Sequence, residues 1–138
     1  EIEIVKSTTS TEQAEVNPVL TAEDLFSYQK LVRDVPVADN VIQYAVDFVN
    51  STRITNKDNA IDAAKDWLEW GAGPRASMYL ILAAKAKALL DGRTTPDISD
   101  VQKMLIPVLR HRIIPSFNAE ADGISRDNIL ENILETAT

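Results

Sequence analysis

Cysteine is absent from this sequence and histidine occurs once, at His111. That scarcity removes disulfides, thiolate metal sites and the usual Cys or His nucleophiles, and it leaves carboxylates as the remaining metal ligands, so no metal site is expected. Long apolar runs are missing too. The longest, Met78 to Ala84, falls far short of the roughly 20 residues that span a bilayer, and no basic start with an apolar stretch opens the chain. A cytoplasmic protein without membrane insertion is expected. Positive charge is in short supply: the formal net charge is −7, and nucleic acid, whose phosphates demand clustered Lys and Arg, is not an expected partner. Glycine is scarce as well. None of the four glycines precedes a lysine, so there is no phosphate loop, and the chain cannot hydrolyse a nucleoside triphosphate by itself. The carboxylates are spread over helix faces rather than paired in a cleft, which disfavours glycosidase and aspartic-protease chemistry.

What remains is helical material. With 45% hydrophobic and 25% charged residues, the 138 residues suffice for one core, and their helix formers point to an all-α fold. The chain begins with Glu1 rather than Met, so a piece of a longer protein is expected. We expect a single domain over 1–138, with a short helix and mobile linker over 1–20 and a bundle of five or six helices over 21–138. Thr21 and Asp24 form a variant capping box for a helix ending before Pro36, its stripe of Leu25, Tyr28 and Val32, widened by Phe26 and Leu31, assigned to the core. Val41, Ala45, Phe48 and Val49 mark the next core-facing helix. Asn59 and Asp62 are expected to cap a short helix carrying Ile61, Ala64, Trp67 and Leu68 and closed by Gly71, with Trp67 and Trp70 on one side of it as core aromatics. Asp97 and Asp100 make a second capping box, opening a helix that Pro107 should break at Leu105 to Pro107. Ile113 and Ile114 read as a short extended piece and the stretch SFNAEADG as loop. Ser125 caps a last helix with Ile129, Leu130, Ile133 and Leu134 as its apolar face.

The stretch WLEWGAGPRA, residues 67–76, departs from local rules. Gly73 and Pro74 open the long central helix of residues 74–91 without a Ser, Thr, Asp or Asn cap, so its first amides direct partial positive charge outward. Arg75 then sets a cation at the wrong end of the dipole, at a cost of about 0.3 to 1 kcal/mol unless something negative is near. Two partners fit: a carboxylate of the same chain, with Asp66 and Glu69 the near candidates, or an external anion such as phosphate.

GAGPRAS before an Ala-rich helix, followed by GR, a short turn, a DV-containing helix and LRHR, resembles the C-terminal lid of MoxR-type AAA+ ATPases, relatives of the magnesium chelatase ATPase subunit. The resemblance runs from about Leu20 to Leu134, with Gly71 to Ala76 and Val108 to Arg112 its most specific parts. It implies that Arg75 is the sensor 2 arginine, contacting the phosphates of ATP from a site made of Gly73, Pro74, Arg75 and Ala76. It further implies Mg-ATP held by an ATPase core, a ring oligomer, usually a hexamer, and a chaperone-like role in remodelling clients or inserting metal, with a von Willebrand A-domain partner. The chain by itself is then expected to be monomeric and to bind ATP no tighter than millimolar. Residues alone leave a second reading open, a free-standing acidic helical adaptor that binds a partner helix in a groove and uses Arg75 as a structural ion pair.

Overall fold

The computed structural model describes residues 1–11, 17–55 and 60–137. The chain divides into two compact units, residues 1–30 and 31–138. The first unit holds α1 (Ile2–Thr9) and most of α2 (Ala22–Asp34). The helix runs three residues past Lys6, and the hydroxyls of Thr8 and Thr9 donate to the carbonyls of Ile4 and Val5. Of the expected linker, residues 12–16 lie outside the described residues. The capping box of α2 is present, with the Asp24 amide donating to Thr21 Oγ1 at 3.1 Å and the Thr21 amide to Asp24 Oδ2 at 2.9 Å.

The core assignment for α2 is corrected. Leu25, Phe26, Tyr28 and Leu31 are exposed and no residue of the helix is fully buried. An apolar stripe announces that a helix face needs a cover; residues 1–30 contain too little other apolar material to supply one.

In the second unit the all-α expectation holds. It contains α3 (Asp39–Ser51), α4 (Asp62–Trp67), α5 (Pro74–Leu90), α6 (Ile98–Leu109), α7 (Phe117–Ala121) and α8 (Arg126–Ala137), with a small antiparallel pair, β1 (Leu68–Trp70) and β2 (Ile114–Pro115). That is six helices in this unit among its described residues and, with α2, seven over 21–138, where five or six were expected. Val41, Ala45, Phe48 and Val49 are all buried, as their spacing requires. α5 turns Ala76, Leu80, Ala84 and Ala88 inward at every fourth position and packs most extensively against α6, then α3. Small side chains on that row let neighbouring helices approach closely.

α5 ends at Gly92 in the left-handed region, φ 74°. The amides of Gly92 and Arg93 donate to the carbonyls of Leu89 and Ala88, the paired bonds of a Schellman cap. The Asp97 and Asp100 box then opens α6.

Pro107 does not break α6, which continues to Leu109. Pro107 and Lys103 both face solvent while Val101, Leu105 and Leu109 are buried on the other side. The carbonyl that loses its donor therefore lies where water can satisfy it, and packing holds the rest of the helix. Two further expectations are revised. Leu68 to Trp70 is strand rather than helix, and SFNAEA forms α7 because the Ser116 side chain accepts from the Ala119 amide as an N-cap. Asn59, the expected cap of α4, lies outside the described residues; Ile61 occupies the N-cap position.

Candidate functional site

Gly73, extended at φ −80° and ψ 175°, is the N-cap of α5, Pro74 occupies the first turn, and among the described residues no side chain caps the helix start. The carbonyl of Gly73 accepts from the Ala76 amide at 2.9 Å. There is no acidic residue in the first turn, so the positive end of the dipole is left uncompensated from within the helix. Arg75 and Ala76 diverge: Ala76 is buried in the core, Arg75 is exposed.

Among the described residues the ion pairs are Lys65 with Asp62, Lys87 with Asp91, Arg93 with Asp91, Asp97 and Asp100, and Arg110 with Asp127. Neither Asp66 nor Glu69 is a partner of Arg75. Leu68 to Trp70 runs against Ile114 and Pro115, and the Asp66 carbonyl accepts from Ser116 Oγ at 3.2 Å. The helix start thus presents a guanidinium without an ion-pair partner among the described residues.

The chain leading into α5 is tied to the end of α3. Thr52, fully buried, donates through Oγ1 to the Val49 carbonyl at 2.7 Å and accepts from the Ala72 amide at 3.0 Å. Arg53 Nε donates to the Ala72 carbonyl at 2.8 Å. Gly71 permits this approach: a Cβ there would stand 2.1 Å from the Thr52 carbonyl oxygen. A cleft of about 280 Å³ opens at this junction, lined by Arg53, Ile54, Trp70 and the Gly71 to Pro74 segment. Trp70, expected in the core, is 63% exposed beside it, whereas Trp67 packs partly against the core.

The basic run at the end of α6 is divided among three tasks. Arg110 makes a two-bond pair with Asp127 in the first turn of α8, with Nε to Oδ1 at 3.0 Å. Arg112 Nε caps the Val108 carbonyl at 2.9 Å while its guanidinium lies 4.7 Å from the centre of the Tyr79 ring on α5. His111 is exposed. The capping role expected of this run is seen in Arg112, and the Asp127 and Tyr79 contacts were missed because their partners lie far along the sequence.

The AAA lid domain family model matches residues 60–133. The chain belongs to that family. Over 118 residues the lid is 34% identical to the Mycobacterium tuberculosis protein named Chaperone MoxR1, covering 86% of this chain and 31% of the relative. It is 29% identical over 119 residues to the uncharacterised Bacillus subtilis protein YeaC, covering 86% of this chain and 34% of that one. A crystal structure described as a candidate ATPase from Cytophaga hutchinsonii superposes with a TM-score of 0.78 at 26% identity, over 97% of the lid and 41% of the other chain. The lid therefore spans about a third of the length of the curated relatives it matches. Among its described residues no helix is long and apolar enough to cross a membrane.

Proposed function

We propose that this lid closes on ATP and Mg²⁺ held by an ATPase core of the same protein, with Arg75 as the sensor 2 residue reaching the phosphates and Gly73, Pro74 and Ala76 shaping the helix start beneath them. The observation that carries the reading is the exposed Arg75, without an ion-pair partner among the described residues, at a helix N-terminus whose cap is a glycine. The chemistry of this donor set fits a phosphate: a planar guanidinium and a helix start of positive potential favour a multiply charged oxyanion. It does not fit magnesium, since among the described residues no group of three His, Asp or Glu is placed to hold a cation; the proposal leaves the metal ligands to the core. Bound ATP supplies the phosphoryl group whose transfer to water drives the cycle. Arg75 orients and neutralises its oxygens and, through α5, ties lid position to nucleotide state.

The rest of the proposal rests on family likeness: a ring oligomer, hexameric by preference, in which the lid touches its own core and a neighbouring subunit, and chaperone-like remodelling or metal insertion on clients, with a von Willebrand A-domain protein as partner. The free-standing adaptor is disfavoured because the structural ion pair it needs at Arg75 is absent among the described residues.

The test is steady-state ATPase of the full-length protein beside thermal melting. Arg75→Ala should lower turnover about 30-fold to several hundred-fold, the equivalent of roughly 2 to 4 kcal/mol, and leave the melt nearly unchanged. Arg75→Lys should recover only part, lacking the planar fork. Wild-type turnover combined with a lowered melting temperature would end the sensor reading.

A further inference from the structure

A helix start with glycine as its cap forgoes only a few tenths of a kcal/mol, but no side chain of the cap holds its first amides, and helix ends are the part most prone to fray. Yet Arg75 must hold its direction from the first turn of α5. The opposite face of that turn is anchored by Ala76, a single methyl group in the core, which fixes depth better than direction. The remaining restraint lies upstream. Both polar groups of Ala72 are taken by consecutive residues at the end of α3, its amide by Thr52 Oγ1 and its carbonyl by Arg53 Nε, across 20 and 19 residues of chain. Thr52 cannot swing away, since its hydroxyl also donates to Val49 and its side chain is fully buried. Gly71 is pressed against the Thr52 backbone so closely that no Cβ fits. Between this clamp and Arg75 stand only Gly73, whose carbonyl is already committed to the Ala76 amide, and Pro74, whose ring fixes φ.

We infer that Thr52 and Arg53 are positioning residues for Arg75, a clamp that replaces the missing capping side chain and sets the angle at which the sensor guanidinium leaves the lid. The inference rests on the sensor reading of Arg75. Arg53 acts through the Ala72 carbonyl, and its effect on turnover passes through Arg75; losing the clamp leaves the arginine attached to a helix start that samples several directions. Misplacement of a contact group by about 1 Å costs up to about a hundredfold in rate.

The experiment is a double-mutant cycle on the full-length ATPase, reading kcat, KM and melting temperature for Arg53→Ala, Arg75→Ala and the pair. Arg53→Ala should lower kcat about tenfold in the wild-type background and have no further effect on kcat when Arg75 is already Ala. A merely structural role would cost the same factor in both backgrounds, and that outcome overturns the inference, as does wild-type kcat in Arg53→Ala. Thr52→Ser, which keeps the hydroxyl, should retain kcat; Thr52→Val, which has the same shape without it, should lose it, and equal kcat in the two would also overturn the clamp. This pair of variants decides the matter should Arg53→Ala fail to fold. Failure of the sensor reading looks different: Arg75→Ala alone would then keep wild-type kcat, and the clamp would have nothing to position.

Discussion

Arg93 and Asp100 close the connection between α5 and α6 with a two-bond guanidinium–carboxylate pair, Nη1 to Oδ2 at 2.7 Å, in which the carboxylate is completely buried. The same Asp100 accepts from the Asp97 amide as the third residue of the α6 capping box, and the Arg93 amide completes the Schellman cap of α5. One short turn therefore ends one helix, starts the next and neutralises its only buried charge among the described residues. Arg93→Ala strands that charge and should lower the denaturant midpoint. An unchanged midpoint would show that water replaces the guanidinium.

The pair also sets an acid limit. The Arg93 guanidinium, against the opposing effect of burial and with help from the Asp97 amide, holds the Asp100 carboxyl below its ordinary value of 3.8. A group whose pKa is lower folded than unfolded contributes its full stability above the unfolded value and loses it as pH falls through the folded one. Asp91, lowered by Lys87 and Arg93, and Asp97, lowered by Ser99, act in the same direction. The melting temperature should stay level from neutrality to about pH 4 and fall below that. Asp100→Asn should start lower and show a shallower acid limb; an unchanged limb would remove Asp100 from the account.

Two glycines of the same motif should respond in opposite ways. Gly71→Ala drives a methyl group into the backbone of Thr52 and Arg53, at 2.1 and 2.9 Å, where nothing flexible can yield. It should cost 3 kcal/mol or more, above the roughly 1 to 3 of ordinary overpacking. At Gly73 an added Cβ meets nothing within 4 Å and the backbone is already extended, so Gly73→Ala should change stability by less than about 1 kcal/mol. Thermal melts of the two variants, run side by side, test the contrast.

Pro107→Ala should stabilise α6 by about 1 kcal/mol. The new amide can donate to the Lys103 carbonyl, and that gain outweighs the extra freedom of the unfolded chain. A lowered denaturant midpoint would mean that the restriction Pro107 places on the unfolded chain outweighs the hydrogen bond it removes.

The helices that bury their own apolar faces were legible in the sequence. Val41, Ala45, Phe48 and Val49 carried one, Ile129, Leu130 and Ile133 another, and the Thr21, Asp97 and Ser125 caps fixed three starts because a cap is a bond between near neighbours. What failed depended on distant partners. Leu68 to Trp70 became strand because Ile114 and Pro115 lie alongside, and Trp70 turned outward with it. Leu25 and Phe26 made a stripe that none of the described residues of 1–30 covers. At the site, the unusual helix start was readable from GAGPRA alone. The two residues that hold it, Thr52 and Arg53, gave no local signal, since a threonine and an arginine at the end of a helix are common and their partner lies some twenty residues on.

Three of the four buried residues along α5 are alanines, and an alanine has no side-chain torsion through which to yield. A push delivered at Arg75 is therefore not absorbed by rotamer changes between this helix and its neighbours. On the proposed role of Arg75 it would pass along 17 residues, about 25 Å of helix, toward the Arg93 corner. In mechanical terms α5 would then be a stiff rod with its handle at Arg75, and replacing one of those alanines by a longer, softer residue would turn the rod into a spring.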